Sequence, residues 1–122
     1  MAENKQYLSQ TLENGTLLIS EDVLETIVIN AVKEVDGVAN LSSRPAMDIV
    51  EAIGKKTIGK ALKISIDQNN ELHVNCNINV IYGQKVVEIA QAVQSAIVGA
   101  LESSANAVVA NVNVNVCGIV RQ

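Results

Sequence analysis

Six asparagines alternate with apolar residues in two separate segments of the chain. They are Asn75, Asn77, Asn79, Asn111, Asn113 and Asn115. Side chains in a β-strand point alternately to its two faces, so each row would present its carboxamides on one face of a sheet. Asparagine is depleted in strands, and we therefore predict that this face is an interaction surface built from hydrogen-bonding groups. The alternative is an ordinary solvated outer face of an antiparallel sheet.

A lysine cluster is the second group of side chains that could bind something. It holds four of the nine basic residues, namely Lys55, Lys56, Lys60 and Lys63. A cluster of this kind can contact an anionic partner or lipid headgroups, or it can be a solvated loop. The stretch Gly54-Lys55-Lys56-Thr57 does not fit a phosphate-binding loop, because no Ser or Thr directly follows a Gly-Lys pair.

The titratable and nucleophilic residues form no recognisable catalytic or metal-binding pattern. His73 is the one histidine, and the sequence pairs it with no obvious carboxylate or nucleophile. Cys76 has the parity of the apolar residues and Cys117 that of the asparagines, so we expect no disulfide between them. We therefore expect a protein that is not an enzyme, with no catalytic residues, no metal and no cofactor.

Composition narrows the class of protein further. The 122 residues fit one domain, and 48% are hydrophobic without a single Phe or Trp, so the core must consist of Val, Ile, Leu and Ala. A net charge of −4 disfavours binding to nucleic acid. The first 14 residues lack the apolar run of a signal peptide, and no segment approaches the ~18 apolar residues of a membrane span. These features predict a cytoplasmic protein.

Hydrophobic periodicity predicts five strands and two helices. The helices are expected over Glu21 to Val35, where Ser20 can cap the first turn, and over Lys85 to Ser103, where Gly99 suggests a close approach to a sheet. The predicted strands are Gly15 to Ile19, Gly37 to Leu41, Leu62 to Asp67, Leu72 to Tyr82 and Val108 to Val120. In the last strand, Val108 and Ala110 continue the apolar parity of the later valines.

These elements predict an α+β fold. Two amphipathic helices would cover one face of a mostly antiparallel sheet in a two-layer sandwich with the order β-α-β-β-β-α-β. Residues 1–14 are expected to be a flexible arm and residues 15–122 a single domain, with a mobile loop at about 42–61. The asparagines would then lie on the face that the helices leave uncovered.

Several short segments resemble the alkaline shock protein family, also called the envelope stress response family of Gram-positive bacteria. The stretch from Gly15 to Val23 resembles the family's opening G-x-[IL]-x-[IV]-[SA]-x-x-V, and Val35 to Val38 resembles its V-x-G-V. Tyr82-Gly83 matches its YG element, Val93-Gln94 its V-Q, and Val112 to Val116 its terminal V-N-[VI]-x-V. The order and spacing of these segments cover nearly the whole predicted domain.

The resemblance implies a small, non-enzymatic cytoplasmic protein linked to the cell envelope and its stress response. In that family at least some members are held near the inner side of the membrane by a membrane-anchored protein partner, and self-association is expected. Two other classes remain open from the sequence. One is a nucleic-acid-binding module of KH-like topology, although the GXXG loop that it needs is not matched in Gly54–Gly59. The other is an unrecognised small-ligand protein.

Overall fold

Two helices and six strands make up residues 7–41 and 61–121, the part of the chain that the computed structural model describes. In chain order the elements are β1 (Tyr7–Leu12), β2 (Gly15–Ser20), α1 (Glu21–Lys33), β3 (Val38–Leu41), β4 (Leu62–Ile66), β5 (Glu71–Ile81), α2 (Val86–Ala105) and β6 (Val108–Val120).

Strand β5 is the centre of the main sheet. On one side it pairs along its whole length with β6, and this pairing is parallel. On the other side it pairs antiparallel with both β3 and β4. A parallel pair requires a crossover connection, and α2 provides it between β5 and β6.

Strands β3 and β4 lie end to end along that same edge of β5. Leu41 is opposite Ile78, and the next contact along β5 is made by Asn77, whose backbone N–H donates to the carbonyl of Ala61 at 2.8 Å. The chain therefore leaves the edge after Leu41 and returns at Ala61 to the neighbouring pairing position. The predicted loop at 42–61 lies, apart from Ala61, outside the described residues.

The core lies between the main sheet and the two helices. The even-numbered residues of β5 from Leu72 to Val80 are all buried, whereas their odd-numbered neighbours are not. Helix α1 contributes Leu24, Val28 and Val32, which are inaccessible to solvent and spaced for one helical face. Helix α2 contributes a second row, Ile89, Val93, Ile97, Leu101 and Ala105. Both helices therefore cover the same face of the sheet.

The start of α1 follows from its first residues. The hydroxyl of Ser20 accepts a hydrogen bond from the backbone N–H of Val23 at 3.4 Å, which satisfies one of the free donors of the first turn. Glu21 and Asp22 place negative charge at the positive end of the helix dipole.

Strands β1 and β2 form a separate antiparallel hairpin that closes one end of the core. Leu8 of β1 is completely buried. The side chain of Asn70, in the β4–β5 turn, holds β1 through both the N–H and the carbonyl of Ser9, at 3.1 and 2.7 Å. Gln10 donates to the carbonyls of Ala105 and Asn106 at the end of α2. The hairpin is thus anchored to two different elements.

The structure confirms the predicted two-layer α+β sandwich, the predicted element order from β2 onwards and the mainly antiparallel sheet. It differs from the predictions in three places. Tyr7–Leu12 form β1, where a flexible arm was expected. Bulges in β6 place Val109, rather than Val108 and Ala110, against the core, because Val109 is opposite the buried Leu72. Gly99 faces open space rather than the sheet.

Candidate interaction face

The predicted asparagine rows come together on one surface. Strands β5 and β6 are neighbours, and their register places Asn75 beside Asn113 and Asn77 beside Asn115. All six predicted asparagines lie on the sheet face opposite the helices, because the buried residues that alternate with them face the core. We call this surface, together with Asn40 of β3 and His73 of β5, the asparagine face.

Carboxamides on the asparagine face bond to one another across strands. Asn115 Nδ2 donates to Asn77 Oδ1 at 2.9 Å and lies 3.4 Å from Asn75 Oδ1. Asn79 Nδ2 donates to Asn40 Oδ1 at 2.8 Å, a link to β3. Each of these amides keeps further donors and acceptors for another molecule, since one carboxamide can make about four hydrogen bonds. The rows are therefore held in position and still able to bind.

At one end of the asparagine face, three side chains are linked by hydrogen bonds. His73 Nε2 lies 2.8 Å from Asp67 Oδ2, and His73 Nδ1 lies 3.1 Å from the Asn111 amide nitrogen. An amide nitrogen can only donate, so Nδ1 accepts and the Nε2–H donates to the carboxylate. Sequence reasoning found no carboxylate partner for His73, because Asp67 reaches the ring only across the β4–β5 turn.

Hydrogen bonds to Asp67 keep its carboxylate ionised. The hydrogen bond from His73 lowers the pKa of Asp67 below its ordinary value, and the backbone N–H groups of Glu71 and Asn69 lower it further. These two N–H groups donate to Oδ1 at 3.1 and 2.8 Å. The Asp67 side chain therefore organises the β4–β5 turn and fixes His73 at the same time.

Of the four residues in the lysine cluster, only Lys63 lies within the described part of the chain. Lys55, Lys56 and Lys60 lie outside the described residues. Lys63 belongs to β4, is exposed and sits opposite Asn75 in the register. It therefore adds one positive charge to the edge of the asparagine face.

Cys76 and Cys117 are both free thiols, as expected. Burial raises the pKa of the Cys76 thiol to about 11, so it is a protonated core residue at neutral pH. Cys117 is the extra residue of a bulge in β6, between the pairs Ile78–Val116 and Asn79–Gly118. Within residues 7–41 and 61–121, no group of three or more His, Cys, Asp or Glu side chains could hold a metal ion.

An open depression of about 360 Å³ lies away from the asparagine face, at the start of α2. Its lining includes the acidic side chains of Asp36 and Glu88 and the basic side chain of Lys85. Lys85 Nζ lies 4.0 Å from Glu88 Oε2, three residues further along the chain, and both side chains are well exposed. Mixed charge and wide exposure give the depression no clear preference for an anion or a cation.

Comparison with known proteins identifies a family that the chain matches over most of its length. Residues 9–121 match the model of the alkaline shock protein 23 family, described by its cell envelope-related function. The chain is also similar to YqhY of Bacillus subtilis (strain 168), an uncharacterized protein. The two are 30% identical over 106 residues, which cover 86% of this chain and 77% of YqhY. No solved structure gives a significant match.

Proposed function

The chain belongs to the alkaline shock protein 23 family, with its cell envelope-related function, and on that basis we propose that it is a non-enzymatic protein-interaction module acting at the cytoplasmic side of the envelope. Its partner would be a membrane-anchored protein, and the asparagine face would be the contact surface. None of the helices in residues 7–41 and 61–121 is long and apolar enough to cross a membrane.

The arrangement of the six predicted asparagines supports this proposal most directly. They are concentrated on two adjacent strands, and hydrogen bonds to one another, to Asn40 or to His73 hold five of the six in place. Holding the side chains in place before binding reduces the entropy lost when a partner docks. Uncharged donors and acceptors can bond a protein surface without exposing an apolar patch to water.

The surroundings of His73 support a non-enzymatic role. Both ring nitrogens are engaged, one by Asp67 and the other by Asn111. Ser65 is opposite His73 in the register, yet among the described residues no hydroxyl or thiol is hydrogen-bonded to the ring. A general base needs a free nitrogen within reach of the proton that it removes, so this histidine is better suited to fixing the edge of the asparagine face.

The test is capture of partners from the membrane fraction of the source cell. We expect a variant in which Asn75, Asn77, Asn111 and Asn113 are replaced by Thr to stay folded, because Thr favours strands, and to recover several-fold less of any specific partner. Because the contact is made by uncharged groups, capture by the unchanged protein should be retained as salt concentration rises.

A control variant changes exposed polar residues on the helical side. Gln91, Ser95 and Ser103 are exposed residues of α2, and their replacement by Ala should leave partner capture unchanged. Equal recovery by the asparagine variant, the control and the unchanged protein would remove the asparagine face from the proposed function.

A further inference from the structure

The outer edge of β6 is a long row of backbone groups that has no neighbouring strand among the described residues. With 13 residues, β6 is the longest strand, and within residues 7–41 and 61–121 it pairs with β5 alone. Backbone N–H and C=O groups along such an edge are a template for pairing with another strand.

Hydrogen bonds at β5 establish which of its backbone groups face β6. The N–H of Tyr82 donates to the carbonyl of Val120 in β6 at 2.8 Å, whereas the N–H of Asn77 donates to Ala61 on the opposite side. Backbone groups of successive residues in a strand point to opposite sides. The even-numbered residues of β5 therefore bond to β6, and the odd-numbered residues bond to β3 and β4.

The parallel register then identifies the free groups of β6. Val74, Cys76 and Ile78 of β5 lie opposite three valines of β6, which are Val112, Val114 and Val116. In a parallel pair a residue bonds to the two neighbours of the residue opposite it. The inward backbone groups of β6 are thus those of the intervening asparagines, and the backbone groups of the three valines point outward.

A side chain of α2 already covers one of these outward groups. Gln94 Nε2 donates to the carbonyl oxygen of Val112 at 3.1 Å. This contact agrees with the outward direction deduced from the register. It also means that an incoming strand must compete with the Gln94 amide for that carbonyl.

Between its two bulges, the edge of β6 lacks the charged residues and prolines by which sheet edges often avoid pairing. Val108–Val120 contains no charged residue and no proline, and both are common protections. The opposite edge of the sheet is made of two short strands, and one of them carries Lys63. In β6 the irregular positions Ala110 and Cys117 lie on either side of a regular, uncharged stretch from Asn111 to Val116.

We propose that this edge receives the β6 strand of a second copy of the chain, antiparallel about a two-fold axis, and that Gln94 shields the edge in the free protein. Opposite residues of an antiparallel pair share a face. Pairing centred on Val114 places valine opposite valine and asparagine opposite asparagine, because the sequence alternates strictly from Asn111 to Val116. The strand is therefore complementary to itself.

Charge opposes a second copy only weakly along this edge. Each chain has a net charge of −4, so two copies repel one another over most of their surfaces. An uncharged strand of 13 residues lets them approach with little of that repulsion. The paired sheets would join the asparagine faces of both chains into one surface, although the two strands can pair without a partner bound there.

Sedimentation velocity of the full chain over a wide concentration series tests the proposal. We expect concentration-dependent dimers, and roughly tenfold tighter dimers for Gln94→Ala, because two copies of a hydrogen bond that competes with dimerisation are removed. Val114→Pro should give a monomer. It removes an outward N–H, which is where proline is tolerated in edge strands, together with the packing of the half-buried Val114 side chain against the core.

A second blocking variant keeps the test decisive if Val114→Pro does not fold. Asn113→Asp retains the N–H and changes only an exposed side chain. It places two like charges beside the proposed axis, and it too should give a monomer. Far-UV circular dichroism checks that each variant keeps its secondary structure. Dimers that persist undiminished in the folded blocking variants would overturn the proposal. So would monomers at every concentration for both the unchanged protein and Gln94→Ala.

Discussion

At the scale of single residues, Asp67 and His73 show how one contact serves two elements. Asp67 accepts two backbone N–H groups of its own turn through Oδ1 and the His73 ring through Oδ2. The two hydrogen bonds to Oδ1 shape the turn between β4 and β5. The hydrogen bond to Oδ2 orients the His73 ring towards Asn111 and so fixes the end of the asparagine face.

The lowered pKa of Asp67 gives a pH dependence of stability with a definite sign. A carboxyl whose pKa is lower in the folded than in the unfolded state stabilises the fold above the unfolded pKa, and this contribution is lost as pH falls through the folded pKa. We expect Asp67→Asn to lower the melting temperature at neutral pH. The difference from the unchanged protein should shrink below about pH 4.

Thermal melts at a series of pH values measure this difference. Asp36→Asn, at another exposed carboxyl, is the control for the loss of one negative charge. A gap between Asp67→Asn and the unchanged protein that stays constant down to the acid unfolding range would contradict the prediction.

Gly37, between α1 and β3, should not tolerate a side chain. Its φ is +99°, and a Cβ there would lie 2.7 Å from Cδ1 and 2.8 Å from Cγ1 of Ile89, which is 5% exposed and cannot move aside freely. We expect Gly37→Ala to lower the free energy of unfolding by about 2 kcal/mol or more.

Gly99→Ala is the matched control, because a Cβ at this position of α2 meets nothing within 4 Å. It should raise the free energy of unfolding by roughly 0.5–1 kcal/mol through helix propensity. Urea unfolding of both variants measures the two effects. Similar stabilities for the two would show that Ile89 can make room for a side chain at Gly37 and would overturn the prediction.

At the scale of elements, two adjacent residues of β6 lie on opposite faces of the sheet, one buried and one open. Val112 is 9% exposed and belongs to the core, whereas Asn113 is exposed on the asparagine face. We expect Val112→Asp to cost about 3 kcal/mol or more, because it buries an unpaired charge, and Asn113→Asp to cost roughly 0.5 kcal/mol. Chemical denaturation measures both, and equal losses would overturn the assignment of the two faces.

The same alternation explains how much of the sheet could be predicted from the sequence. β5 was predicted correctly because 11 residues run without an internal bulge, so parity alone identifies its buried side chains. In β6 the bulge at Ala110 reverses the parity, and parity therefore placed Val108 on the wrong face. A bulge depends on pairing between strands, which a single sequence does not display.

The features that could not be predicted from the sequence depend on contacts between distant segments. β1 was not predicted because its six residues show no clear apolar periodicity. Its place depends on Asn70 and Gln10 bonding across more than 60 residues. The asparagine rows were recognisable because each lies within one strand. That the two rows are neighbours follows only from the parallel pairing of β5 with β6, which periodicity does not determine.

At the scale of the whole molecule, the response to salt distinguishes two possible modes of contact with the envelope. The chain is acidic, with a net charge of −4, and its lysine cluster is the main concentration of positive charge. A contact made by the cluster should weaken as salt rises, because ions screen it, whereas a contact made by carboxamides should not.

Replacing Lys55, Lys56 and Lys60 by Gln distinguishes these modes. If the cluster binds an anionic partner, the triple variant should lose association with the membrane fraction, and the remaining association should respond less to salt. Flotation or co-sedimentation with that fraction over a salt series measures both. The same association and salt response in the variant would exclude the lysines from the contact.

The end-to-end arrangement of β3 and β4 has a consequence for how this architecture can change. Leu41 and Ala61 occupy neighbouring pairing positions along β5, so whatever joins them begins and finishes at nearly one point of the sheet. Each doubling of a connecting segment costs only about 0.6 kcal/mol in closure entropy. Chain can therefore be added or removed at this junction while the register on either side is preserved. The junction is a place where descendants of this protein can acquire new segments, and an engineer can graft them, at little cost to the sandwich.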